Sequence, residues 1–329
     1  MEPFRMTGPI RLIEFFAGVG SQAMALRDLG VPFETWATSE WEVNANASYK
    51  AIHMPDDDTD YSAGYSKEAL VQYLHGMGIS NDGKDPMALE TIQKKNEAWL
   101  RQTFNNIEST KNLVNIMKIN AWDLKIEDTD KFTYLLTYSF PCQDLSVAGK
   151  QAGMSKGSGT RSGLLWEVER ILTECFLIGG QAGLPQVLLM ENVPQVHGKK
   201  NMDDFQKWLN FLESLGYHST WADLNAKDFG VAQSRNRCFC VSLLGDYSYE
   251  FPTPFELTKT MEDYLEDEVP DEFYVTSDKA HELIDKLVVD QKIPLPEGEE
   301  DEMLMKENPR FLSEEARKFL FGDQCPTQQ

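Results

Sequence analysis

Cys142 is the residue of this chain best placed to act as a nucleophile. It stands in Ser139-Phe140-Pro141-Cys142-Gln143-Asp144-Leu145-Ser146, directly after the mostly apolar, β-forming run 134–138. Such a run reads as a buried strand, and Phe140-Pro141 ends its pairing, so the thiol is delivered to the strand's carboxyl end. Ligands of open α/β sheets bind along that edge. The glycines that follow, Gly149, Gly153, Gly157, Gly159 and Gly163, suit a mobile loop over a reactive thiol. A lone cysteine is more often a small core hydrophobe, so the assignment depends on its neighbours. Residues 186–190 read as another buried strand, which brings Glu191 to the same edge. Gln233-Ser234-Arg235-Asn236-Arg237 then runs into an apolar strand at 238–244. An isolated arginine pair would read as an exposed strand edge. Beside Cys142 and Glu191 the two arginines read as substrate ligands.

These groups need a sheet to hold them, and the chain supplies its strands in order. Residues 10–16 read as a first strand, apolar apart from Arg11 and Glu14. Gly18 and Gly20 follow at once, and Ala23, Leu26 and Leu29 at helical spacing give a helix over 22–29 closed by Gly30. In a strand, glycine turn and helix of this kind the backbone can approach a ligand closely. About twenty residues on, 36–39 reads as a second strand ending in Glu40-Trp41, where an acidic residue can accept both hydroxyls of a ribose. Trp41 can stack on an adenine. Helices are predicted over 164–176 and 203–215, the latter with Phe205, Trp208, Leu209, Leu212 and Leu215 on one stripe and Gly216 as its stop. That helix is core packing. Residues 55–118 carry Asp56-Asp57-Asp58, a turn at Ser80-Asn81-Asp82-Gly83 and an amphipathic helix over 87–104, and read as a helical pair on the surface.

Composition bounds the remaining choices. A chain of 329 residues with 41% apolar residues can bury a large core, as one large domain or two smaller ones. No stretch approaches 18 uninterrupted apolar residues, and the first nine residues lack the apolar core of a signal peptide, so a cytoplasmic protein with no membrane partner is expected. The five cysteines are odd in number and form no C-x-x-C pair, so neither a disulfide framework nor a metal site is expected. The net charge of −22 is the wrong sign for a ligand of polyanions. Residues 246–329, however, hold 23 acidic against 8 basic residues and account for −15 of it. A local basic cleft in the first 245 residues is compatible with the remainder.

Pro141-Cys142-Gln143-Asp144-Leu145-Ser146 resembles the catalytic motif of the DNA cytosine-C5 methyltransferases. Four further stretches agree, in the order that family uses: Glu14-Phe15-Phe16-Ala17-Gly18-Val19-Gly20, Arg161-Ser162-Gly163-Leu164-Leu165, Met190-Glu191-Asn192-Val193-Pro194, and Gln233-Ser234-Arg235-Asn236-Arg237. The resemblance runs over roughly residues 10–245. It implies S-adenosyl-L-methionine as cofactor, with Phe16, Ala17, Gly18, Val19 and Gly20 lining its methionine side and Glu40 and Trp41 holding ribose and adenine. Asn120-Ala121-Trp122-Asp123-Leu124 stands where the family usually has Gly-Asp-Ile, which implies Asp123 as acceptor of the adenine amino group with Leu124 beside it, although the glycine is missing. Pro141 and Leu164 complete that set. The resemblance further puts Cys142 on cytosine C6, Glu191 at N3, Arg237 at O2 and Arg235 on a phosphate or on Glu191. Gln143, Ser146, Arg161 and Gln233 fall on the DNA side, under a lid formed by 149–163.

The fold expected is an α/β, Rossmann-like S-adenosylmethionine-dependent methyltransferase sheet with flanking helices and a helical insertion. A catalytic domain is expected over 1–245 and an acidic linker or reduced target-recognition region over 246–329. Residues 252–277 resemble the linker that precedes the family's recognition domain, and Arg310-Phe311-Leu312-Ser313-Glu314-Glu315 echoes a later structural motif, yet nothing between them resembles that domain. A truncated chain, half of a split enzyme and a reduced recognition element all fit, and a second polypeptide supplying recognition is the partner expected besides DNA. The activity expected is DNA cytosine-C5 methylation, in a restriction-modification or phage-protection setting. Methylation of cytosine in RNA by the same scaffold, and a catalytically silent methyltransferase-like DNA-binding or regulatory subunit, are the alternatives. An ordinary nucleotide-binding oxidoreductase leaves Pro141-Cys142-Gln143 unexplained.

Overall fold

The computed structural model describes residues 2–145, 153–266, 269, 270, 273 and 277–289. Its contacts divide the chain into two units, Met1–Thr260 and Met261–Gln329. The first is built on a six-stranded sheet of β1 (Ile10–Phe15), β2 (Phe33–Ser39), β3 (Thr133–Tyr138), β4 (Val187–Asn192), β5 (Tyr217–Asn225) and β6 (Asn236–Leu244), in the order β2-β1-β3-β4-β6-β5. β2, β1, β3 and β4 are parallel, and β6 runs antiparallel to both β4 and β5. The central strands are near-continuous apolar runs because helices cover both faces of a parallel sheet. Leu12, Ile13, Leu136, Leu188 and Met190 have no exposed surface at all.

Register brings the chemistry to one rim. Phe15 pairs with both Ser39 and Tyr138, Tyr138 pairs with Met190, and Glu191 pairs with Phe239. The carboxyl ends of β1 to β4 therefore lie level, so the residues that follow each strand share an edge. Since β6 is antiparallel, it is its amino end, with Asn236 and Arg237, that reaches the same edge. From β1 the chain leaves to β2 on one side while β3 lies on the other, and the crevice at such a switch point is where a ligand fits.

Helices α1 (Ser21–Asp28) and α2 (Val43–His53) follow β1 and β2, and α7 (Leu165–Gly179) and α8 (Met202–Ser214) follow β3 and β4. Leu165, Val168, Ile171 and Leu172 of α7 and Phe205, Trp208 and Leu212 of α8 are buried in one cluster with Tyr138, Leu188 and Cys240 of the sheet. Burying each such side chain contributes roughly 1.5–3 kcal/mol relative to leaving it exposed. At Gly20 (φ 80°) a Cβ would lie 2.4 Å from His53 Nε2 and 2.6 Å from Tyr49 Cε2, so only glycine lets α2 pack this close to the first turn.

The insertion is more than a surface pair. Its helices α3 (Lys67–Met77), α4 (Leu89–Gln93) and α5 (Glu97–Ser109) enclose a separate core of Leu70, Leu74, Ile92, Leu100, Phe104, Ile107 and Val114, to which α2 contributes Val43. The single helix expected over 87–104 is two, because Asn96 adopts an extended conformation and its side chain accepts from Trp99 N–H, starting α5 afresh. The insertion returns to the sheet at Asn112, which bridges to Thr38 on the outer edge of β2. The short helix α6 (Ala121–Leu124) lies between this return and β3. In the second unit, α9 (Asp278–Val289) is a helix among acidic residues. The echo at Arg310–Glu315 lies outside the described residues.

Candidate active site

A cavity of about 330 Å³ opens at the sheet's carboxyl rim. Its walls come from the ends of β1 (Phe16), β2 (Ser39, Glu40, Trp41), β3 (Ser139 to Gln143), β4 (Glu191, Asn192) and from Arg235 and Arg237 at the start of β6. Arg161 and Leu164, before α7, and Gly83 and residues 114–117 of the insertion complete it.

Cys142 is half-buried on a turn clamped from two sides. Asn192 Nδ2 donates to Phe140 O at 2.9 Å, tying the turn to the end of β4, and Ser162 Oγ donates to Pro141 O at 2.6 Å. The Asp144 carboxylate accepts Arg161 N–H at 2.9 Å and Ser162 N–H at 3.3 Å, so the far end of the glycine-rich loop returns to the turn. Gln143 is exposed at the cavity mouth and Arg161 is half-buried there. Ser146, Gly149 and Lys150 lie outside the described residues. Elsewhere in the sheet and α7, burial pushes the thiols of Cys175 and Cys238 up to about 12 and that of Cys240 to about 11. Those cysteines are inert packing groups.

Across the cavity, Arg237 Nε lies 2.9 Å from Glu191 Oε1, and Arg235 NH2 lies 3.9 Å from the same oxygen. Arg237 and Glu191 are mostly buried and Arg235 is half-exposed. The closer partner of Glu191 is thus Arg237, whereas the expectation had given any contact with Glu191 to Arg235. The antiparallel entry of β6 explains it, since Arg237 is the second residue of the strand and Arg235 precedes it.

At the other end stand Glu40 and Trp41. The Glu40 carboxylate accepts Gly18 N–H at 2.9 Å through one oxygen and Glu42 N–H at 2.8 Å through the other. Burial raises its pKa above the usual range, and those N–H groups oppose the rise. Phe16 lines the cavity with φ 58°. Ala17, Gly18, Val19 and Gly20, expected along the cofactor, are not among its wall residues. Ala17 is buried, Val19 is exposed, and the glycine turn instead holds Glu40 through Gly18 and admits α2 at Gly20.

Three further residues expected at the site stand outside the cavity wall. Asp123 is exposed outside the cavity, where its carboxylate accepts Asn120 N–H at 2.9 Å and closes a capping box on α6. Leu124 is fully buried, and its carbonyl accepts Trp36 Nε1–H at 2.7 Å. Gln233 is exposed in the loop before β6 and does not reach the cavity.

Val114-Asn115-Ile116, eight residues earlier, stands in the cavity wall where Asp123 does not. Val114 has φ 63°, the left-handed conformation for which glycine is the default and a β-branched residue a strained choice. The only signal for this wall in the sequence is an Ile after an amide, where an acid before Ile was sought. Gly83 had no sequence signal beyond its turn. His197 Nε2 also lies 2.9 Å from Asp223 Oδ1 with Cys238 Sγ nearby, and that hydrogen bond and the burial of the thiol account for the grouping.

A family model described as C-5 cytosine-specific DNA methylase matches residues 70–293. The chain belongs to that family. The orphan methyltransferase M.SssI of Spiroplasma monobiae is 40% identical over 242 residues, which cover 73% of this chain and 61% of that protein. The type II methyltransferase M2.ScrFI of Lactococcus lactis subsp. cremoris is 36% identical over 277 residues, covering 82% and 71% respectively. M.Bsp6I, a type II methyltransferase of a Bacillus species, is 38% identical over 48% of this chain and 49% of its own length. The chain thus spans about three fifths of M.SssI. Among solved structures, S. pombe Dnmt2 methyltransferase covers 83% of this chain and 64% of its own at TM-score 0.49 and 17% identity, a likeness too distant to add to the sequence match. No helix among the described residues is long and apolar enough to cross a membrane.

Proposed function

We propose that this chain methylates C5 of a flipped-out cytosine in DNA, with Cys142 as the nucleophile and S-adenosylmethionine as the methyl donor. The observation that carries the reading is one cavity walled at one end by Cys142, Glu191 and Arg237 and at the other by Glu40 and Trp41. The cofactor end fits its ligand. A half-buried carboxylate held by two backbone N–H groups, beside an indole, suits a ribose and an adenine, and the residues nominated to hold it are Phe16, Glu40, Trp41, Asn115, Ile116, Pro141 and Leu164. When bound, the sulfonium supplies an electrophilic methyl group.

Cytosine C5 is a poor nucleophile until the ring is activated. The Cys142 thiolate adds to C6, which makes C5 enamine-like, and electron density moves toward N3 and O2. Glu191 hydrogen-bonds N3, and the Arg237 guanidinium, already fixed against Glu191, faces O2 and the developing charge. After methylation, loss of the C5 proton expels Cys142 and restores the aromatic ring. A stacked base is out of reach, so the nucleotide is extruded at a cost of about a few kcal/mol. Gln143 and Arg161 stand at the cavity mouth to meet the DNA, while Lys156 is occupied 2.9 Å from Glu169. Arg235, half-exposed, is the residue for a neighbouring phosphate.

The stretch 246–329, with 23 acidic and 8 basic residues, offers little phosphate affinity, and a second polypeptide that holds the duplex is part of this proposal. A restriction-modification setting follows from the type II relatives. The test is transfer of labelled methyl to duplex DNA and, separately, to tRNA, with and without co-expressed neighbouring genes. Label on DNA that depends on Cys142 supports the reading. Label confined to tRNA sinks it.

A further inference from the structure

We propose that the inserted turn 80–85, through Gly83, is a binding wall for the adenosyl half of the cofactor. The inference rests on the S-adenosylmethionine reading of the cavity and goes beyond it, because this wall comes from the insertion and from none of the motifs described above. Three observations support it. Gly83 is itself a wall residue of the cavity that Glu40 and Trp41 line. The turn is fastened to the strand end that carries those two residues, since Ser80 N–H donates to Trp41 O at 2.7 Å and Val43 N–H donates to Ser80 O at 3.0 Å. It is also braced internally: Ser80 Oγ accepts Gly83 N–H at 3.0 Å and donates to Asp85 O at 2.7 Å, and Asp82 Oδ1 accepts Lys84 N–H at 3.0 Å.

A turn held this way is formed before any ligand arrives. Only the glycine backbone faces the cavity at Gly83, and a Cβ there would find a single neighbour, Glu42 Cγ at 3.9 Å. A side chain would stand beside Glu42, next to the strand end that carries Glu40 and Trp41, and on this proposal a large one narrows the cavity where the adenosyl group belongs and competes with it. Gly83 has φ 66°, a conformation that asparagine tolerates better than other residues with a side chain.

Gly83→Asn and Gly83→Tyr, made in the full chain, separate this from a purely structural role. S-adenosylhomocysteine binding is measured by calorimetry, and the unfolding temperature of each ligand-free protein is measured beside it. The expected result is a graded loss, with the tyrosine variant weakened roughly tenfold or more and the asparagine variant less, while Gly83→Asn melts with the parent protein. Affinities equal to the parent in both variants overturn the proposal. An affinity loss in Gly83→Asn matched by a fall in its unfolding temperature overturns it as well, because the turn is then only a brace. A parent protein that binds no S-adenosylhomocysteine overturns the cofactor reading itself.

Discussion

Arg237 Nε lies 2.9 Å from Glu191 Oε1, a pairing between the second residue of an antiparallel strand and the penultimate residue of a parallel one. Neither residue is placed by its own strand alone, because the ladder between β4 and β6 sets both. In the proposed reaction the carboxyl acts on N3 and the guanidinium on the exocyclic O2, the two sides of one N3–C2–O2 unit. Arg237→Ala is expected to lower the methyl-transfer rate by roughly 10²–10³-fold, as for loss of a single donor to a developing oxyanion. S-adenosylhomocysteine affinity, measured by calorimetry, is expected to stay within about twofold of the parent. A large loss of affinity with an unchanged single-turnover rate would move Arg237 to the cofactor.

DNA carrying 5-fluorocytosine at the target is expected to trap the protein irreversibly. The thiolate adds and the methyl is transferred, but fluorine at C5 leaves no proton to remove, so Cys142 cannot be expelled. Cys142→Ala should abolish the trapped species on a denaturing gel while cofactor binding persists. Trapping that survives in the variant would point to another thiol, against the burial that holds Cys175, Cys238 and Cys240 in their protonated forms.

Cofactor affinity should fall in Trp41→Ala and Glu40→Ala, by roughly 1–3 kcal/mol where charged hydrogen bonds are lost. Asp123→Ala is expected to leave it unchanged. That carboxylate caps α6, so its loss shows in stability instead, at about 0.5–2 kcal/mol by chemical denaturation. If Asp123→Ala weakens binding while the first two do not, the cavity has been assigned to the wrong ligand.

Glu14 provides a pH-dependent prediction. It is fully buried in β1, where its carboxyl accepts from Tyr49 OH at 2.6 Å and Ala23 N–H at 3.3 Å, and burial pushes its pKa from 4.5 up to about 7. Below about pH 4.5 the group is protonated in both folded and unfolded chains and costs nothing. As pH rises toward 7 the unfolded chain ionises first, so the folded state loses relative stability, by roughly 3 kcal/mol once both forms are charged. Glu14→Gln removes that term. The variant should be more stable than the parent at pH 8 and not at pH 4, with the difference growing across the interval. A difference that is flat with pH would refute the assignment.

Much of this fold was legible because the groups that define it are local. The runs 10–16, 134–138 and 186–190 read as buried strands within a residue or two of β1, β3 and β4, since parallel strands covered on both faces have few polar positions. Glu40 and Cys142 follow strand ends and Glu191 and Arg237 lie at them, which explains why strand placement brings all four to one rim. Val114-Asn115-Ile116 was missed because its turn keeps a left-handed backbone without the glycine that would advertise it, while Asn120 to Leu124 offered a nearer imitation. The contribution of Gly83 is tertiary. Nothing within the turn 80–85 states that Trp41 will be its hydrogen-bond partner across some forty residues of chain.

The return of the insertion along β2 has another effect. Thr38 N–H donates to Lys111 O at 3.1 Å, and Thr38 O accepts Leu113 N–H at 2.8 Å, so the outermost parallel strand does not present a bare row of backbone groups. An uncovered edge of that length is a template on which a second molecule can add a strand. The helical insertion thus closes this edge at Thr38, and trimming it away to reach a minimal methyltransferase would leave those two backbone groups without partners.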